Sequence, residues 1–175
     1  MIEIDTITIE RAAKGDDKAF RKLYDHYAPF VWKVIYRTTN GNRDAAADIV
    51  QDTFIRLSGS LKKFRHDSSL STWIYRVAFN VAMTQAEKSR NNGARHLPND
   101  ATLDLPASGP TAEERMIAKE ILKSIAPDER FLLVAREVEG IPFEELEIIT
   151  GKNSGALRTA MHRLKEKIRK EFSNA

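Results

Sequence analysis

The apolar positions of the chain recur at helical spacing over most of its length. Between positions 7 and 90 they return every three or four residues, as at Phe20, Leu23, Tyr27 and Val31, which is the period of helices that bury one face. Turn signals at 15–17 and 40–42 separate a first helix, a second helix containing Pro29, and a third over about 44–57. A fourth is predicted over 70–90, with 67–69 as capping candidates. Pro29 is expected to kink or interrupt its helix.

The pattern stops at position 91 and resumes at position 112. Residues 91–111 carry three prolines, two glycines and several Asn, Asp and Ser, a composition typical of linkers. Helices are predicted again over about 112–124, 127–138, 142–150 and 154–172. No strand is convincing, because alternation at 2–9 would give an isolated strand without a partner. The predicted fold is all-α, with two small helical domains at 1–90 and 112–175 joined by a flexible linker at 91–111.

Composition narrows the class of protein without naming its function. The chain has 175 residues, of which 42% are hydrophobic and 30% charged, as in soluble globular proteins. It has no cysteine, which excludes disulfides and thiolate metal sites. Neither a signal peptide nor an apolar span is visible, so we expect a cytoplasmic protein. The net charge is only +3, so the distribution of charge must indicate any polyanionic partner.

The segment from Pro142 to Lys170 has the layout of a helix-turn-helix. A short helix with inward Phe143, Leu146 and Ile149 is followed by a turn at 151–153 and a long helix that Ser154 could cap, and the second helix of this motif enters the major groove of DNA. Leu157, Met161, Leu164 and Ile168 form an inward stripe. The polar residues lie outward or flank it: Ser154, Gly155, Arg158, Thr159, His162, Arg163 and Lys165. A solvated basic helix is the alternative.

Cations, aromatics and small polar residues alternate from Lys62 to Arg90. Trp73, Arg76 and Asn80 share one side of the predicted fourth helix, and a loop with Lys63, Phe64, Arg65, His66, Asp67 and Ser68 precedes it. Such a surface suits single-stranded nucleic acid, where aromatic and guanidinium planes stack on exposed bases. The alternative is that Trp73 belongs to the hydrophobic core.

The third predicted helix carries an acidic face. Asp48, Gln51 and Asp52 group on one side while Phe54 and its apolar neighbours can pack inward. An acidic face would repel DNA, so its functional interpretation is a basic or polar protein partner. An ordinary solvated helix face is the alternative. The four histidines lack metal-ligand spacing, and phosphate-binding or nucleophile motifs are absent from the sequence. We therefore expect no enzyme, no cofactor, no metal and no small-molecule substrate.

Together these motifs resemble the extracytoplasmic-function sigma factors, the smallest group of the sigma-70 family. The resemblance runs from about Ile9 to Lys170 and rests on four segments in the family's order: TIERAAKGDDKAFRKLYDHYAPFVWKVIYR, DIVQDTFIRL, FRHDSSLSTWIYRVAFNVA and the stretch from LKSIAPDERF to MHRLKEKI. The first three resemble its second conserved region and the last resembles its fourth. Each segment is moderate evidence by itself, and the ordered set is strong evidence.

The resemblance implies a role for each surface. The core polymerase-binding residues, which would dock on the β′ clamp, are Asp48, Gln51, Asp52 and Phe54. Those that would take up a flipped base of the −10 element are Lys63, Phe64, Arg65, His66, Asp67, Ser68, Trp73, Arg76 and Asn80. Those that would contact the −35 duplex are Ser154, Gly155, Arg158, Thr159, His162, Arg163 and Lys165. The resemblance also implies contact with the polymerase β flap and with an anti-sigma factor, without a catalytic step.

Two departures and two alternatives accompany this interpretation. Ala160 stands where the family often has arginine, which predicts a weak or altered −35 preference. The run from Ala45 to Ala47 lacks the acidic residue that the family often has shortly before the position of Asp48. Asp44 could supply that negative charge. The first alternative is a helix-turn-helix regulator that acts on operators without polymerase, although the amino-terminal half offers no obvious ligand pocket or dimer interface for it. The second is an RNA-binding accessory protein, which leaves the duplex-contacting helix unexplained.

Overall fold

A computed structural model of the protein describes residues 4–91 and 111–172, which are almost entirely helical. The helices are α1 Thr6–Ala13, α2 Asp17–Thr38, α3 Arg43–Ser60, α4 Leu70–Asn91, α5 Ala112–Ser124, α6 Pro127–Leu133, α7 Phe143–Thr150 and α8 Ser154–Phe172, with a 3₁₀ turn at Leu61–Lys63 and a π-helical segment at Val134–Val138. The predicted linker, except for its terminal residues, lies outside the described residues.

Side-chain caps fix where the amino-terminal helices begin. Asp5, Asp16, Asn42 and Ser69 each accept a hydrogen bond from a backbone amide two or three residues later, which satisfies donors that the first helical turn leaves unpaired. The amide of Ala19 lowers the pKa of the Asp16 carboxyl, because the hydrogen bond favours its charged form. The predicted breaks at 15–17 and 40–42 and the predicted capping segment are therefore observed.

Two local expectations are corrected. Pro29 does not interrupt α2, which continues from Asp17 to Thr38 with the proline inside it. Ile7 and Ile9 lie in α1, which spans Thr6–Ala13, so the expectation that no strand forms there agrees with the structure. The predicted single helix over 127–138 becomes α6 followed by the π-helical segment.

Each half of the chain buries its own apolar stripe. In the amino-terminal half Leu23, Val34, Ile35 and Leu57 are fully buried between α2, α3 and α4. The carboxy-terminal half buries Phe131, Leu146, Ile149, Leu157 and Leu164, with α8 packed against both α6 and α7. Among the residues described, no helix is long and apolar enough to span a membrane.

The two halves also pack against each other, along a contact that we call the seam. It is formed by α2 and α4 on one side and by α6, α7 and the π-helical segment on the other. The rings of Phe79 on α4 and Phe131 on α6 lie 4.9 Å apart between centroids. The buried residues form one continuous cluster across the seam, so the carboxy-terminal half has a defined position on the amino-terminal half.

Candidate nucleic-acid and protein interfaces

The acidic surface consists of Asp48, Gln51 and Asp52, all exposed on α3. Helical periodicity places them together because Phe54, at 3% exposure, is turned inward with the other apolar residues of α3. The structure thus exposes these three polar side chains together on α3, as the helical period predicts. Phe54 lies beneath this surface, where its side chain shapes the surface and offers little area for direct contact.

A hydrophobic groove lies beside the acidic surface, between α2 and α3. It has a volume of about 560 Å³, and its lining residues are Phe20, Tyr24, Trp32, Ala47, Val50, Gln51, Phe54, Ile55 and Ser58. Ile55 is 59% exposed, and the ring of Tyr24 meets that of Phe54 edge-on at 4.8 Å. The groove cannot be predicted from the sequence alone, because it joins α2 residues to α3 residues about thirty positions later. It places an apolar surface next to the acidic one, an arrangement typical of protein interfaces.

The loop before α4 forms an aromatic cluster with the first turn of that helix. The ring of Phe64 lies 4.5 Å from the ring of His66 and 5.3 Å from that of Trp73. His66 has a φ of 58°, a left-handed conformation that few non-glycine residues adopt. The loop therefore turns sharply and presents His66 outward next to the two larger rings.

Around this cluster the predicted polar residues are accessible. Arg76 and Asn80 are exposed on α4, Lys63, Arg65 and Asp67 are exposed in the loop, and Trp73 and Ser68 are half-buried. Arg65 and Asp67 lie 3.6 Å apart as a solvent-exposed ion pair, which contributes little stability. Direct contacts join Phe64 with His66 and Trp73, and Arg65 with Asp67. We call the whole predicted set the loop–α4 surface: Lys63, Phe64, Arg65, His66, Asp67, Ser68, Trp73, Arg76 and Asn80.

The helix-turn-helix forms as predicted, with one correction at the cap of its second helix. Gly151 has a φ of 71° and ends α7 in the left-handed region, where glycine carries no steric penalty. The side chain of Asn153, and not that of Ser154, caps α8, since its Oδ1 accepts from the Gly155 amide at 2.9 Å. Ser154 instead donates its own amide to Glu147. A Cβ at Gly155 would lie 3.0 Å from the Asn153 Oδ1, so glycine there leaves room for the cap.

This cap supports a direct test by replacing each of the two candidates. We expect Asn153→Ala to lower the free energy of unfolding by about 1 kcal/mol, because the Gly155 amide loses its side-chain acceptor. Ser154→Ala is the matched control and is expected to have a smaller effect. Urea unfolding followed by circular dichroism measures both, and a larger loss in Ser154→Ala would restore serine as the cap.

The outward face of α8 is accessible, and the side chain of Arg158 on this face is held in place by α7. Arg158, Thr159, His162, Arg163 and Lys165 are all exposed; with Ser154 and Gly155 they make up the recognition-helix surface. The guanidinium of Arg158 donates to the Glu144 carboxylate at 2.7 Å and lies 4.6 Å above the ring of Phe143. This contact was not predicted from the sequence, where the only signal for it is that Glu144 directly follows Phe143.

Acidic residues accompany other cations of this half. Lys165 pairs with Glu137 at 2.9 Å, and Lys152 pairs with Asp128 at 2.9 Å. These pairs are partly exposed, so each contributes little to stability. Each of these ion pairs nevertheless places a carboxylate beside a lysine that could otherwise contact a phosphate group of DNA.

No metal centre accompanies these surfaces among the residues described, where no group of three or more His, Asp or Glu side chains could hold an ion. The described residues thus present three candidate surfaces: one acidic and apolar, one aromatic and basic, and one basic face on α8.

Comparison with known proteins identifies the family. The chain is 30% identical to the ECF RNA polymerase sigma-E factors of Salmonella typhimurium and of Escherichia coli K12, over 94% of this chain and 92% of each relative. The chain belongs to the extracytoplasmic-function sigma factors. The model of sigma-70 region 2 matches residues 23–91, which contain both the acidic surface and the loop–α4 surface of this sigma factor.

Solved structures agree on the fold of the sigma factor. It matches CnrH, solved in complex with the cytosolic domain of CnrY, with a TM-score of 0.68 at 20% identity over 96% of both chains. It matches the sigma factor RpoE, solved with the anti-sigma factor NepR from Bartonella quintana, with a TM-score of 0.69 at 19% identity, over 87% of this chain and 96% of that one. The predicted all-α fold with two small helical domains is confirmed.

Proposed function

We propose that this sigma factor binds core RNA polymerase in the cytoplasm and directs it to promoters by contacting the −35 duplex and melting the −10 element. The observation that carries the proposal is the presence, in one chain, of all three surfaces in the order of the family. We assign residues 1–90 to polymerase binding and −10 recognition, 91–111 to the linker and 112–175 to −35 recognition. No catalytic step by the chain is needed.

The acidic surface and its groove suit the polymerase. A basic or polar helix of the β′ clamp would pair with Asp48 and Asp52 while its apolar side chains enter the groove above Phe54. An interface with an apolar centre and a charged rim gives both affinity and orientation. Asp44, exposed in the first turn of α3, extends the negative charge in place of the acid that the family often has nearby.

The loop–α4 surface suits an unpaired base. The Phe64, His66 and Trp73 rings offer stacking planes, and Arg76 and Asn80 offer a cation and an amide along the same helix. Stacking on an aromatic side chain is worth about 1–3 kcal/mol per base. That energy offsets the cost of unpairing one base, so binding itself would separate the strands.

The recognition-helix surface suits duplex DNA. Arg158 is oriented by Glu144 and Phe143 before DNA arrives, and a pre-oriented arginine loses less freedom when it contacts a guanine edge. Ala160 is exposed in the middle of this face and has no side chain that reaches a base or phosphate. The −35 preference of this chain is therefore proposed to depend mainly on Arg158 and its neighbours, with the β flap holding this half on the polymerase.

Arg158→Ala tests that dependence. We expect a loss of about 1–3 kcal/mol in binding to the −35 duplex, or roughly 5- to 150-fold in affinity, with relaxed sequence preference. Lys170→Ala, an exposed cation further along α8, is the control and should weaken binding less and equally on all sequences. Fluorescence anisotropy on the preferred and on scrambled duplexes measures both. Equal losses on both duplexes would assign Arg158 to phosphate contact only.

Run-off transcription with purified bacterial core polymerase tests the proposed function as a whole. Core with this chain should start at specific promoters across genomic DNA, and core alone should not. If the chain failed to bind core polymerase but bound duplex DNA by itself in a gel-shift assay, the operator-binding regulator would be favoured. The similarity to sigma-E factors over 94% of the chain argues against that alternative.

An anti-sigma factor is a further proposed partner. Of the two structural matches above, CnrH was solved in complex with CnrY and RpoE with the anti-sigma factor NepR. The acidic surface and the groove of this chain would bind such an inhibitor as well as polymerase, so the two partners would compete for the same surface.

A further inference from the structure

The helix that precedes the recognition helix is acidic. α7 carries three glutamates, Glu144, Glu145 and Glu147. Glu145 accepts a hydrogen bond from Thr72 on α4, and Glu147 accepts one from the first backbone amide of α8. Glu144 differs from both, because it pairs with Arg158 on the face of α8 that is assigned to the −35 duplex. A carboxylate at that place would repel the phosphates of bound DNA, so its presence there calls for a physical reason.

The helix dipole accounts for part of this acidity. Glu144 and Glu145 lie in the first turn of α7, where the dipole stabilises a negative charge. The dipole acts on both acids alike and does not depend on the contacts of either side chain. It therefore explains why acids occur in this turn, but not why the Glu144 carboxylate lies 2.7 Å from the guanidinium of Arg158.

The ring of Phe143 also contacts Arg158. The Cζ atoms of Arg158 and Arg136 lie 4.6 Å and 4.8 Å from the centroid of this ring, so one ring meets two guanidinium groups, which repel each other. Arg136 is fixed separately, because its Nη1 donates to the Ile141 carbonyl. Without Glu144, neither guanidinium would have a carboxylate partner among the residues described.

The ion pair leaves most of the Arg158 guanidinium available. A guanidinium has five N–H donors in one plane, and Glu144 accepts a single hydrogen bond, from Nη2. The side chains of Arg158 and Glu144 are 56% and 68% exposed, so the pair adds little stability and exchanges partners readily. A guanine edge accepts two hydrogen bonds and carries no net charge. It can therefore bind Arg158 while Glu144 stays in place.

A phosphate group would meet a different environment at Arg158. It carries a negative charge, and Glu144 places another negative charge within hydrogen-bonding distance of the same guanidinium. The two charges would lie well within the Debye length of about 8 Å at physiological ionic strength, so they would repel each other. Glu144 therefore weakens a contact that is the same for every sequence and spares a contact that depends on the base.

A second ion pair has the same arrangement on the same helix. Lys165 pairs with Glu137 of the π-helical segment at 2.9 Å. Of the arginine and lysine residues in the recognition-helix surface, only Arg163 then lacks a carboxylate partner among the residues described. The acids reduce the positive charge of this face and, with it, the part of DNA binding that does not depend on sequence.

We propose that Glu144 is a specificity-determining residue of the −35 contact. It orients Arg158 and repels phosphates beside it, which restricts this arginine to a base edge. Glu144 is a positioning residue, since it acts through Arg158 and does not itself need to touch DNA. The proposal rests on the proposed function, because it deepens the −35 contact assigned to the recognition-helix surface.

Two substitutions of Glu144 separate its charge from its hydrogen bond. Duplexes are selected from a randomised pool with the full wild-type chain, and anisotropy compares a selected with a scrambled duplex over a range of salt concentrations. Glu144→Ala should bind the scrambled duplex more tightly, with a slope of log K against log salt that is steeper by about 0.9, or one phosphate contact. Its preference for the selected duplex should fall by roughly fivefold or more. Glu144→Gln keeps an acceptor for Arg158, so it should steepen the slope and retain most of the preference.

Two further variants test whether Glu144 acts through Arg158. Glu10→Ala changes the net charge equally on α1 and should match the wild type on both duplexes. Glu144→Ala/Arg158→Ala should gain little affinity over Arg158→Ala on the scrambled duplex. A gain as large as that of Glu144→Ala alone would overturn the proposal, as would an unchanged slope and preference in Glu144→Ala. Equal weakening on both duplexes would reduce Glu144 to a structural residue. If the wild-type chain selected no sequence from the pool, the −35 assignment would fail, and the role of Glu144 with it.

Discussion

Asp48→Arg/Gln51→Ala is expected to remove promoter-directed transcription almost completely. Both side chains are exposed on α3, so the change alters the surface and leaves the packing of Phe54 and the other inward residues intact. Reversing one charge replaces attraction by repulsion at the polymerase, and losing a charged contact in an interface costs about 2–5 kcal/mol. Affinity for core polymerase should fall by roughly 30-fold or more.

The measurement has two parts, because a loss of transcription alone does not locate the defect. Binding to core polymerase is followed with a fluorescent chain, and binding to the −35 duplex is followed separately by anisotropy. We expect the first to fall and the second to stay unchanged. Glu10→Arg, which reverses an exposed acid on α1, is the matched control for net charge and should bind core as the wild type does.

The contrary result would also be informative. Wild-type affinity for core in the double variant would mean that the acidic surface is an ordinary solvated face. The groove between α2 and α3, with Ile55 59% exposed, would then be the remaining candidate for polymerase contact on this side of the chain.

Local sequence signals were sufficient to predict the helices and most of their ends. Asp16 and Ser69 are capping residues that stand directly before an apolar period, and Gly151 can adopt the left-handed conformation that ends α7. Such signals act within four residues, and the chain carries them at almost every boundary. The interruption expected at Pro29 does not occur, because a proline costs one backbone hydrogen bond and the packing of α2 offsets that loss.

Contacts between distant residues were beyond the reach of the sequence. The Thr72–Glu145 hydrogen bond joins positions 73 residues apart, and neither residue stands out within its own helix. Arg158 and Glu144 are 14 positions apart, and their pairing depends on the angle between α7 and α8. Helical periodicity predicts which side of a helix is buried but not which helix covers it, so the three surfaces were predictable and the seam was not.

Trp73→Ala is expected to have its largest effect on strand separation. The Trp73 ring is half-buried and lies 5.3 Å from that of Phe64, so its removal takes away one stacking plane and loosens another. At about 1–3 kcal/mol per stacked base, transcription from a duplex promoter should fall by roughly 5- to 150-fold. Trp73→Phe, which keeps an aromatic plane, should recover a large part of the activity.

A premelted promoter separates this role from a structural one. When the −10 bases are already unpaired, binding no longer has to offset the cost of unpairing, so Trp73→Ala should lose much less activity on a bubble template than on a duplex. A merely structural tryptophan would instead reduce activity on both templates by the same factor and would lower the unfolding midpoint measured by circular dichroism. Equal loss on both templates would therefore assign Trp73 to the core, and unequal loss would place it beside the flipped base, next to the loop that His66 turns outward.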